Sequence, residues 1–418
     1  AMLVHQRYFP LFNADGTLAN KFLITSNGDP KFEANIVDGN QRVVAARLYD
    51  AKFFYDEDLK QPLEAYVPRL GEVVFQEKLG TMLEKTARIE RLADHLAADA
   101  QLDGQDLSDV ERAAHLCKAD LVTSAVVEFT SVQGIMGSYY AAASGETAQV
   151  AQAIEQHYRP RFAGDATPET VVGKLVAIAD KLDTVCGLFS VGQGPTGSSD
   201  PFALRRSAIG IVAMLSSEDA VDVSLVSAID AALASYADQG IEFDADAVRA
   251  EVIDFFITRT KVMLRDAGHS IDAIDAVLAA DVQEPVELIN RASALEAARK
   301  EQPETFEDLA TAYARANNLR DVKLGCEVEE SLLSEVESAL VSAIAEAEGN
   351  VAASLEANDY AAALAKLAGL RKPIDLFFES TMVMDEDQAL RENRLRLLNR
   401  FVAVFANVAD FALLSKVK

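Results

Sequence analysis

The apolar residues of this chain recur at intervals of three and four over most of its length, and this spacing limits the fold more than any other feature. In the clearest stretch, with steps of three, four or seven, the apolar positions are Phe75, Leu79, Met82, Ile89, Leu92 and Leu96. Such intervals place apolar side chains on one face of an α-helix, so they predict a long amphipathic helix. The alanine- and glutamate-rich stretch 327–348 likewise predicts solvated helices of a bundle. The chain is therefore expected to be mainly α-helical.

The start of the chain departs from this pattern. Two apolar runs, Tyr8–Phe12 and Phe22–Thr25, flank the segment Asn13–Gly16. A glycine-containing turn between two short apolar runs is typical of a β-hairpin. The sequence thus predicts a small N-terminal β-hairpin, followed by helices from Gly39 onward.

The charge of the chain argues against a nucleic-acid partner. The 418 residues carry a formal net charge of −27, whereas a polyanion is normally met by a basic surface. Charge is unevenly distributed, however, because residues 388–418 hold four arginines and two lysines against Glu392 and Asp410. This local excess is either a helix-dipole effect at a helix end or a surface for RNA.

Cysteine spacing and apolar segments exclude further classes. Cys117, Cys186 and Cys326 are far apart, with no spacing that predicts a zinc site or a disulfide framework. The first residues lack a signal-peptide core, and no window of about eighteen apolar residues predicts a membrane span. The sequence predicts a cytoplasmic protein of two or three units with no membrane partner.

Three short strings occur in order within residues 159–206. They are RPRFAGD at Arg159–Asp165, ADKLDT at Ala179–Thr184 and DPFALRR at Asp200–Arg206. Together they resemble the β subunit of the two-subunit bacterial glycyl-tRNA synthetase. The resemblance covers essentially the whole chain. Because the chain starts inside the family pattern, and an alanine before Met2 resembles an expression scar, we expect the N-terminal part of the subunit to be absent.

The resemblance implies a role in handling tRNA. In that family the β subunit binds tRNA, while a separate α subunit carries the adenylate chemistry. The implied partners are tRNA(Gly) and the α subunit in an α2β2 assembly, with no DNA. No catalytic residue, metal or cofactor is expected in this chain, since ATP and Mg²⁺ are used by the α subunit. The fragment alone is expected to bind tRNA poorly and to aminoacylate nothing.

Residues 70–216 also resemble the helical scaffold of HD-domain phosphohydrolases, in which histidines and aspartates bind a divalent metal that activates water. Lys85 stands at the position of the first histidine, Cys117 and Lys118 stand at the His-Asp pair, and only Asp180 remains. A protonated lysine cannot bind a metal, so we expect a degenerate pocket without metal or hydrolase activity.

The two lysines of this pocket have two interpretations. Their charge either replaces the metal and contacts a tRNA phosphate, together with Asp180 and Asp183, or it forms a structural ion-pair network. In the network the partners would be Asp180, Asp183 or Glu128. The string DPFALRR has a structural explanation, because Asp200 before Pro201 predicts a capped helix start with proline in the first turn. The alternative is that Arg205 and Arg206 reach a partner or the RNA backbone.

The C-terminal segment, 294–418, resembles a DALR-like helical anticodon-binding domain. The strings that carry this likeness are ARANN at Ala314–Asn318, LRKPIDLFF at Leu370–Phe378, MVM at Met382–Met384 and RENRL at Arg391–Leu395. Anticodon bases are held by planar donors, acceptors and apolar faces. The RNA contacts implied by the resemblance are, in order of rank, Arg396, Arg400, Arg391, Arg394, Arg315 and Asn318.

A helical projection puts the first two residues at the head of this ranking, and the match to the family motif puts Arg391 and Arg394 next. The projection places Leu395, Leu398, Val402, Phe405 and Ala409 on one apolar stripe, with Arg396 and Arg400 opposite, toward solvent. Arg391 and Arg394 lie nearer the stripe, where they either pack or pair with Asp385, Glu386 or Asp387. A glycine anticodon ends in two cytosines, and an acidic side chain that accepts from the cytosine amino group would suit it. The sequence does not select that acid.

The predicted organisation has four segments. They are a remnant of a preceding domain at 1–69, the HD-like helical domain at 70–216, a helical connecting region at 217–293 and the DALR-like domain at 294–418. Two rival functions stay open beside tRNA binding. One is an HD-type metal-dependent phosphohydrolase, and the other is an acidic helical protein-interaction scaffold.

Overall fold

The structure is a computed structural model that describes residues 7–162 and 164–414. The described residues form two compact units. The first takes those within Ala1–Gly194, Val221–Val223 and Ala231–Phe243, and the second those within Pro195–Ala220, Ser224–Asp230 and Asp244–Lys418. Ala163 of the string RPRFAGD, and Lys416 and Lys418 of the basic C-terminal stretch, lie outside the described residues.

Helices account for most of the described structure, and the prediction of a mainly α fold with a small N-terminal hairpin is confirmed. The strands are β1 (Phe9–Phe12), β2 (Leu18–Leu23), β3 (Val74–Gln76) and β4 (Gly80–Thr81). The α-helices are α1 (Glu33–Asp58), α2 (Met82–Asp99), α3 (Gly104–Leu116), α4 (Ser124–Glu128), α5 (Ile135–Ala143), α6 (Ala148–Gln156), α7 (Val171–Ser190), α8 (Leu204–Ser216), α9 (Leu225–Asp238), α10 (Ala245–Asp266), α11 (Ile271–Leu278), α12 (Pro285–Glu301), α13 (Pro303–Leu319), α14 (Glu335–Glu356), α15 (Tyr360–Ala368), α16 (Arg371–Ser380) and α17 (Gln388–Ala406). Short 3-10 helices cover Pro30–Phe32, Leu63–Glu72, Ala119–Val122, Thr130–Val132, Val322–Leu324, Glu330–Leu332 and Phe411–Leu413. Among these described helices, none is both long enough and apolar enough to cross a membrane.

The N-terminal hairpin pairs β1 with β2 in antiparallel register, with Phe9 opposite Leu23. Its second strand starts at Leu18, four positions before the predicted Phe22. The reason is a compact turn, in which the Asp15 carboxylate accepts from the backbone N–H and the hydroxyl of Thr17. Strand β2 can therefore begin to pair with β1 directly after Thr17.

The amphipathic helix predicted from Phe75 to Leu96 is shorter than expected. Phe75 lies in β3, and α2 begins only at Met82. Gly80 has a φ of 91°, a left-handed value that favours glycine and interrupts a helix. Thr81 then caps the first turn in a reciprocal box with Glu84. Backbone geometry at Gly80 and the cap at Thr81 thus set the helix start.

The helix predicted to begin at Asp200 starts later, at Leu204. The Asp200 carboxylate does cap it, accepting from the backbone N–H groups of Leu204 at 2.8 Å and Arg205 at 3.0 Å. Pro201 lies in the preceding turn rather than in the first helical turn, because Ala203 adopts a left-handed φ of 57°. The capping prediction is confirmed and the predicted position of the proline is wrong.

The core of the first unit surrounds α7. This helix packs against α2, α3 and α6, and all but three of its twenty residues are buried. Two of its buried residues, Asp180 and Asp183, are acidic. A helix enclosed on every side can keep such groups charged only if cationic partners reach them.

The core of the second unit includes one face of α17. The predicted apolar stripe of Leu395, Leu398, Val402, Phe405 and Ala409 is buried, although Ala409 lies beyond the end of the helix. Helices α13 and α14 pack against α17. The stretch 327–348 is not helical throughout, because α14 starts at Glu335, where Ser334 and Glu337 form a capping box. Residues 320–334 therefore form an irregular segment between α13 and α14 that includes two short 3-10 helices.

Candidate functional site

The structure brings Lys85, Lys118, Asp180 and Asp183 together in the core of the first unit. The Lys85 ammonium lies 2.9 Å from Asp183 Oδ2 and 3.1 Å from Asp180 Oδ1. Lys118 Nζ lies 2.8 Å from Asp180 Oδ2. All four residues are at most 8% exposed. We call this group, with Arg88 and His157 described below, the buried charge cluster.

Arg88 is a member of the buried charge cluster that sequence reasoning missed. Its Nε donates to Asp183 Oδ1 at 2.7 Å, and its guanidinium lies 4.3 Å from the centroid of the Tyr236 ring. The Tyr236 hydroxyl in turn donates to the backbone carbonyl of Asp183 at 2.9 Å. Arg88 falls on the apolar face of α2 beside Ile89 and Leu92, and a charge at such a position was the available signal.

His157 is the second member that was missed. It is fully buried, and its Nε2 accepts from Lys118 Nζ at 2.8 Å while its Nδ1 donates to the carbonyl of Ile154. Burial, reinforced by the Lys118 ammonium, holds the pKa of His157 well below its usual value, so the ring is neutral. We therefore interpret the neutral His157 ring as a structural hydrogen-bond acceptor for the Lys118 ammonium.

Asp180 is the anionic centre of the cluster. Burial alone would raise its pKa, but the ammonium groups of Lys118 and Lys85 outweigh that effect and hold the pKa well below its usual value. Asp180 is therefore a carboxylate in the folded chain. Lys181, the next residue, donates to the carbonyl of His157 at 2.8 Å, and burial lowers its pKa to about 8.

The donors of Lys85 are already occupied within the protein. Its ammonium donates to the carbonyl of Asp180, to Asp183 Oδ2 and to Thr184 Oγ1, and an ammonium has three N–H groups. Glu128, the third carboxylate considered, pairs with Arg47 instead. This geometry favours the structural ion-pair network over a phosphate pocket, and the phosphate contact stays a prediction.

The cluster is a poor fit for a divalent metal. Two ammonium groups stand within 3.1 Å of the Asp180 carboxylate, where they repel a further cation. Burial raises the pKa of the Cys117 thiol to about 12, so it does not supply a thiolate. Over residues 7–162 and 164–414 no group of three or more His, Cys, Asp or Glu side chains is arranged to hold a metal ion.

In the second unit, two of the candidate arginines are held by the protein itself. Arg394 forms ion pairs of 2.6 Å with both Glu337 and Asp385, and its side chain is 13% exposed. Arg391 donates to the backbone carbonyl of Asp385 at 2.8 Å. Both arginines therefore contact Asp385, in the acidic stretch before α17. This is one of the two alternatives that the sequence left open.

Arg400 and Arg396 differ from the helical projection, which placed both toward solvent. Both are half-buried, because α14 and the segment before it pack on that side of α17. Arg400 forms a two-pronged contact with Glu348, at 2.9 and 2.7 Å. Arg396, in contrast, has no ion-pair or hydrogen-bond partner within the described ranges. Of the two first-ranked residues, Arg396 is the one with free donors.

Arg315 and Asn318 lie exposed on α13. The Arg315 guanidinium lies 4.1 Å from the centroid of the Phe378 ring on α16. This contact fixes the plane of the guanidinium, while no carboxylate of the described chain pairs with its N–H groups. The lowest-ranked pair of the sequence prediction is therefore the most accessible.

A family profile described as glycyl-tRNA synthetase beta subunit matches residues 1–279, which is more than half of the chain. The chain belongs to this family. A second profile, the DALR anticodon binding domain, matches residues 309–414. That range contains all six residues proposed above as RNA contacts, whereas the buried charge cluster falls within the first match.

Curated relatives of this chain carry the name glycine–tRNA ligase beta subunit. Those from Desulforamulus reducens and Moorella thermoacetica are 44% identical over 414 residues and 45% identical over 412 residues. One from Vibrio cholerae is 42% identical over 418 residues. Each comparison covers 98% of this chain and 59% of the relative. The chain thus spans about three fifths of the length of these relatives.

Proposed function

We propose that this chain is the tRNA-handling part of a glycine–tRNA ligase β subunit. It positions tRNA(Gly) and reads its anticodon, while the α subunit carries out aminoacylation. The observation that carries the proposal is the position of Arg315 and Arg396, two arginines with unpaired N–H groups, inside the stretch matched by the DALR anticodon binding profile.

The pairing pattern of the arginines supports this role. In a chain with a net charge of −27, carboxylates are abundant enough to neutralise surface cations, as they do for Arg394 and Arg400. An arginine left unpaired in such a chain keeps its donors for an external acceptor. RNA offers such acceptors in its phosphates and in the edges of unstacked bases. A few free guanidinium groups then serve a selective contact better than a broad basic face does.

The partners follow from the same proposal. We propose an α subunit as the catalytic partner, in an α2β2 assembly in which ATP and Mg²⁺ act on the α subunit. The buried charge cluster supports this division of labour, since its lysines donate to carboxylates and carbonyls of the protein. In this view the first unit supplies a stable scaffold and no catalytic group, and the protein works in the cytoplasm.

A competition experiment tests the proposed function. Labelled tRNA(Gly) is bound to the chain and displaced with unlabelled tRNA(Gly) or with an unrelated elongator tRNA, with and without the α subunit. Preference for tRNA(Gly) supports the proposal, and we expect the preference to weaken as salt increases because phosphate contacts release counterions. Equal displacement by both tRNAs, with the α subunit present, would overturn it and favour the acidic scaffold.

A further inference from the structure

A cleft lies beside α17 in the second unit, between that helix and the irregular segment that follows α13. It has a volume of about 550 Å³ and is lined by Leu324, Gly325, Cys326, Glu327, Val328, Glu329 and Arg396. This volume lies within the roughly 300–1,000 Å³ typical of sites for small organic groups. We call it the Arg396 cleft.

The wall of the Arg396 cleft is fixed by two buried asparagines of α17. Asn399 donates to the carbonyls of Asp321 and Gly325, both at 2.7 Å. Asn393 exchanges two hydrogen bonds with the backbone of Glu329, at 2.7 and 3.1 Å. Arg396 lies three residues from each asparagine, so it faces the same segment. The cleft is therefore formed before any ligand arrives, which lowers the cost of binding.

Three charged side chains line this cleft, and two of them, Arg396 and Glu327, are unpaired. The third, Glu329, accepts a hydrogen bond from the Ser331 hydroxyl at 2.9 Å. Arg396 and Glu327 each have no ion-pair or hydrogen-bond partner among the residues that the structure describes, and they do not pair with each other. Neighbouring arginines behave differently, since Arg394 and Arg400 are both engaged by carboxylates. The cleft thus presents the Arg396 guanidinium as a donor and the Glu327 carboxylate as an acceptor, with the apolar side chains of Leu324 and Val328 beside them.

Of the two pyrimidines, cytosine fits this combination better than uracil does. Cytosine presents an amino group next to two acceptors, N3 and O2. A carboxylate accepts from the amino group, as acidic side chains do in base recognition, and a guanidinium donates to the acceptors. Uracil presents a carbonyl where cytosine has the amino group, so a carboxylate would face a second acceptor. An apolar wall suits the face of the ring.

We propose that the Arg396 cleft binds one unstacked cytosine of the anticodon, with Glu327 accepting from its amino group and Arg396 donating to its ring acceptors. The proposal rests on the function proposed above. It names the acid that the sequence left open, and it makes Glu327 the residue that separates cytosine from uracil at one anticodon position.

The test compares tRNA(Gly) with two variants in which one or the other anticodon cytosine is replaced by uridine. For the unchanged chain, assayed with the α subunit, we expect one of the two replacements to weaken binding by about tenfold or more. In Glu327→Gln this ratio falls at least severalfold, because the amide can rotate and donate to the uracil carbonyl. In Arg396→Ala, binding of the cytosine form weakens most.

Matched controls come from the same segment. Glu330→Gln and Lys323→Ala change exposed charged residues that do not line the cleft, and we expect the cytosine-to-uridine ratio to stay as in the unchanged chain. If tRNA(Gly) is preferred over other tRNAs but the ratio is the same in Glu327→Gln and Glu330→Gln, the cleft proposal is overturned and the proposed function stands. If the unchanged chain shows no preference for tRNA(Gly), the proposed function fails and the cleft proposal fails with it.

Discussion

Lys85 and Asp183 form an ion pair of 2.9 Å in which both side chains are almost completely shielded from solvent, at 3% and 2% exposure. Removing one partner of such a pair leaves a buried charge without compensation, which typically costs about 3–5 kcal/mol. We expect Lys85→Ala to lower the free energy of unfolding by an amount in this range, measured by urea denaturation. Lys52→Ala, which removes an exposed pair with Asp56, should change it by less than about 0.5 kcal/mol.

A double variant that removes both lysines of the buried charge cluster decides between a structural network and a phosphate pocket. In Lys85→Ala with Lys118→Ala, a structural role predicts lost stability and unchanged tRNA affinity per folded molecule. The opposite result, a stable protein with weaker tRNA binding and a smaller salt dependence, would establish the phosphate contact. Folded fraction is measured by circular dichroism on the same samples, so that the two effects are separated.

The neutral, buried His157 predicts a loss of stability in mild acid. Its pKa is lower in the folded chain than in the unfolded chain, so below about pH 6.5 the unfolded state takes up a proton that the folded state does not. The free energy of unfolding should then fall by up to about 1.4 kcal/mol per pH unit from this residue alone. We expect His157→Gln, which keeps an acceptor for Lys118, to show a shallower slope between pH 7 and pH 5.

Other groups titrate near this pH range and change the free energy of unfolding in the opposite direction. A hydrogen bond to Glu90 raises the pKa of His115, and burial raises the pKa of Asp120 to about 6. Both favour the folded state as the pH falls, and both are present in wild type and in His157→Gln. The difference between the two slopes therefore reports on His157 with its neighbours Lys118, Asp180 and Lys181. Identical slopes would contradict the prediction.

Arg394 is expected to matter for stability and not for RNA. Its removal strands Glu337, whose side chain is 2% exposed, although the capping hydrogen bonds from Ser334 remain. We expect Arg394→Ala to cost about 2–3 kcal/mol, less than a fully buried pair, because Arg394 itself is partly exposed. Thermal unfolding measures this, and Arg394→Ala with Glu337→Gln should recover part of the loss. Failure of the second change to help would point to packing instead.

Arg315 is expected to behave in the reverse way. Its guanidinium lies on Phe378 with its N–H groups unpaired, so Arg315→Ala should weaken tRNA binding severalfold with little change in stability. If the contact is to a phosphate, the slope of log affinity against log salt falls by about 0.7–0.9. Arg315→Lys retains the charge and should retain that slope. An unchanged affinity in Arg315→Ala would remove this residue from the RNA surface.

The sequence predicted what depends on local spacing. The apolar stripe of α17 follows from helical periodicity, and the cap at Asp200 follows from the preference of carboxylates for free N–H groups. Contacts between segments that are far apart in the sequence could not be predicted from local spacing. Arg396 and Arg400 were placed in solvent because the projection of a single helix contains no information about α14 or the segment that precedes it. Glu327 was assigned to a helix for the same reason.

The buried charge cluster shows a second limit of sequence reasoning. Lys85, Lys118, Asp180 and Asp183 were grouped through a resemblance to HD-domain phosphohydrolases, and that resemblance itself stays a prediction. The spacing of these four residues in the sequence does not predict that their side chains contact one another. The partner of Asp183 on α2, Arg88, could have been suspected from its place on an apolar face, where an unpaired charge would be unstable.

A cation that is part of a side chain cannot be removed by dialysis, by a chelator or by a shortage of divalent ions. Lys85 and Arg88 on α2, and Lys118 after α3, are such permanent cations for the carboxylates of α7. The ion pairs that connect these helices are therefore made entirely by side chains of the protein itself. They form as soon as the chain folds, whatever the mineral supply of the cell that makes it.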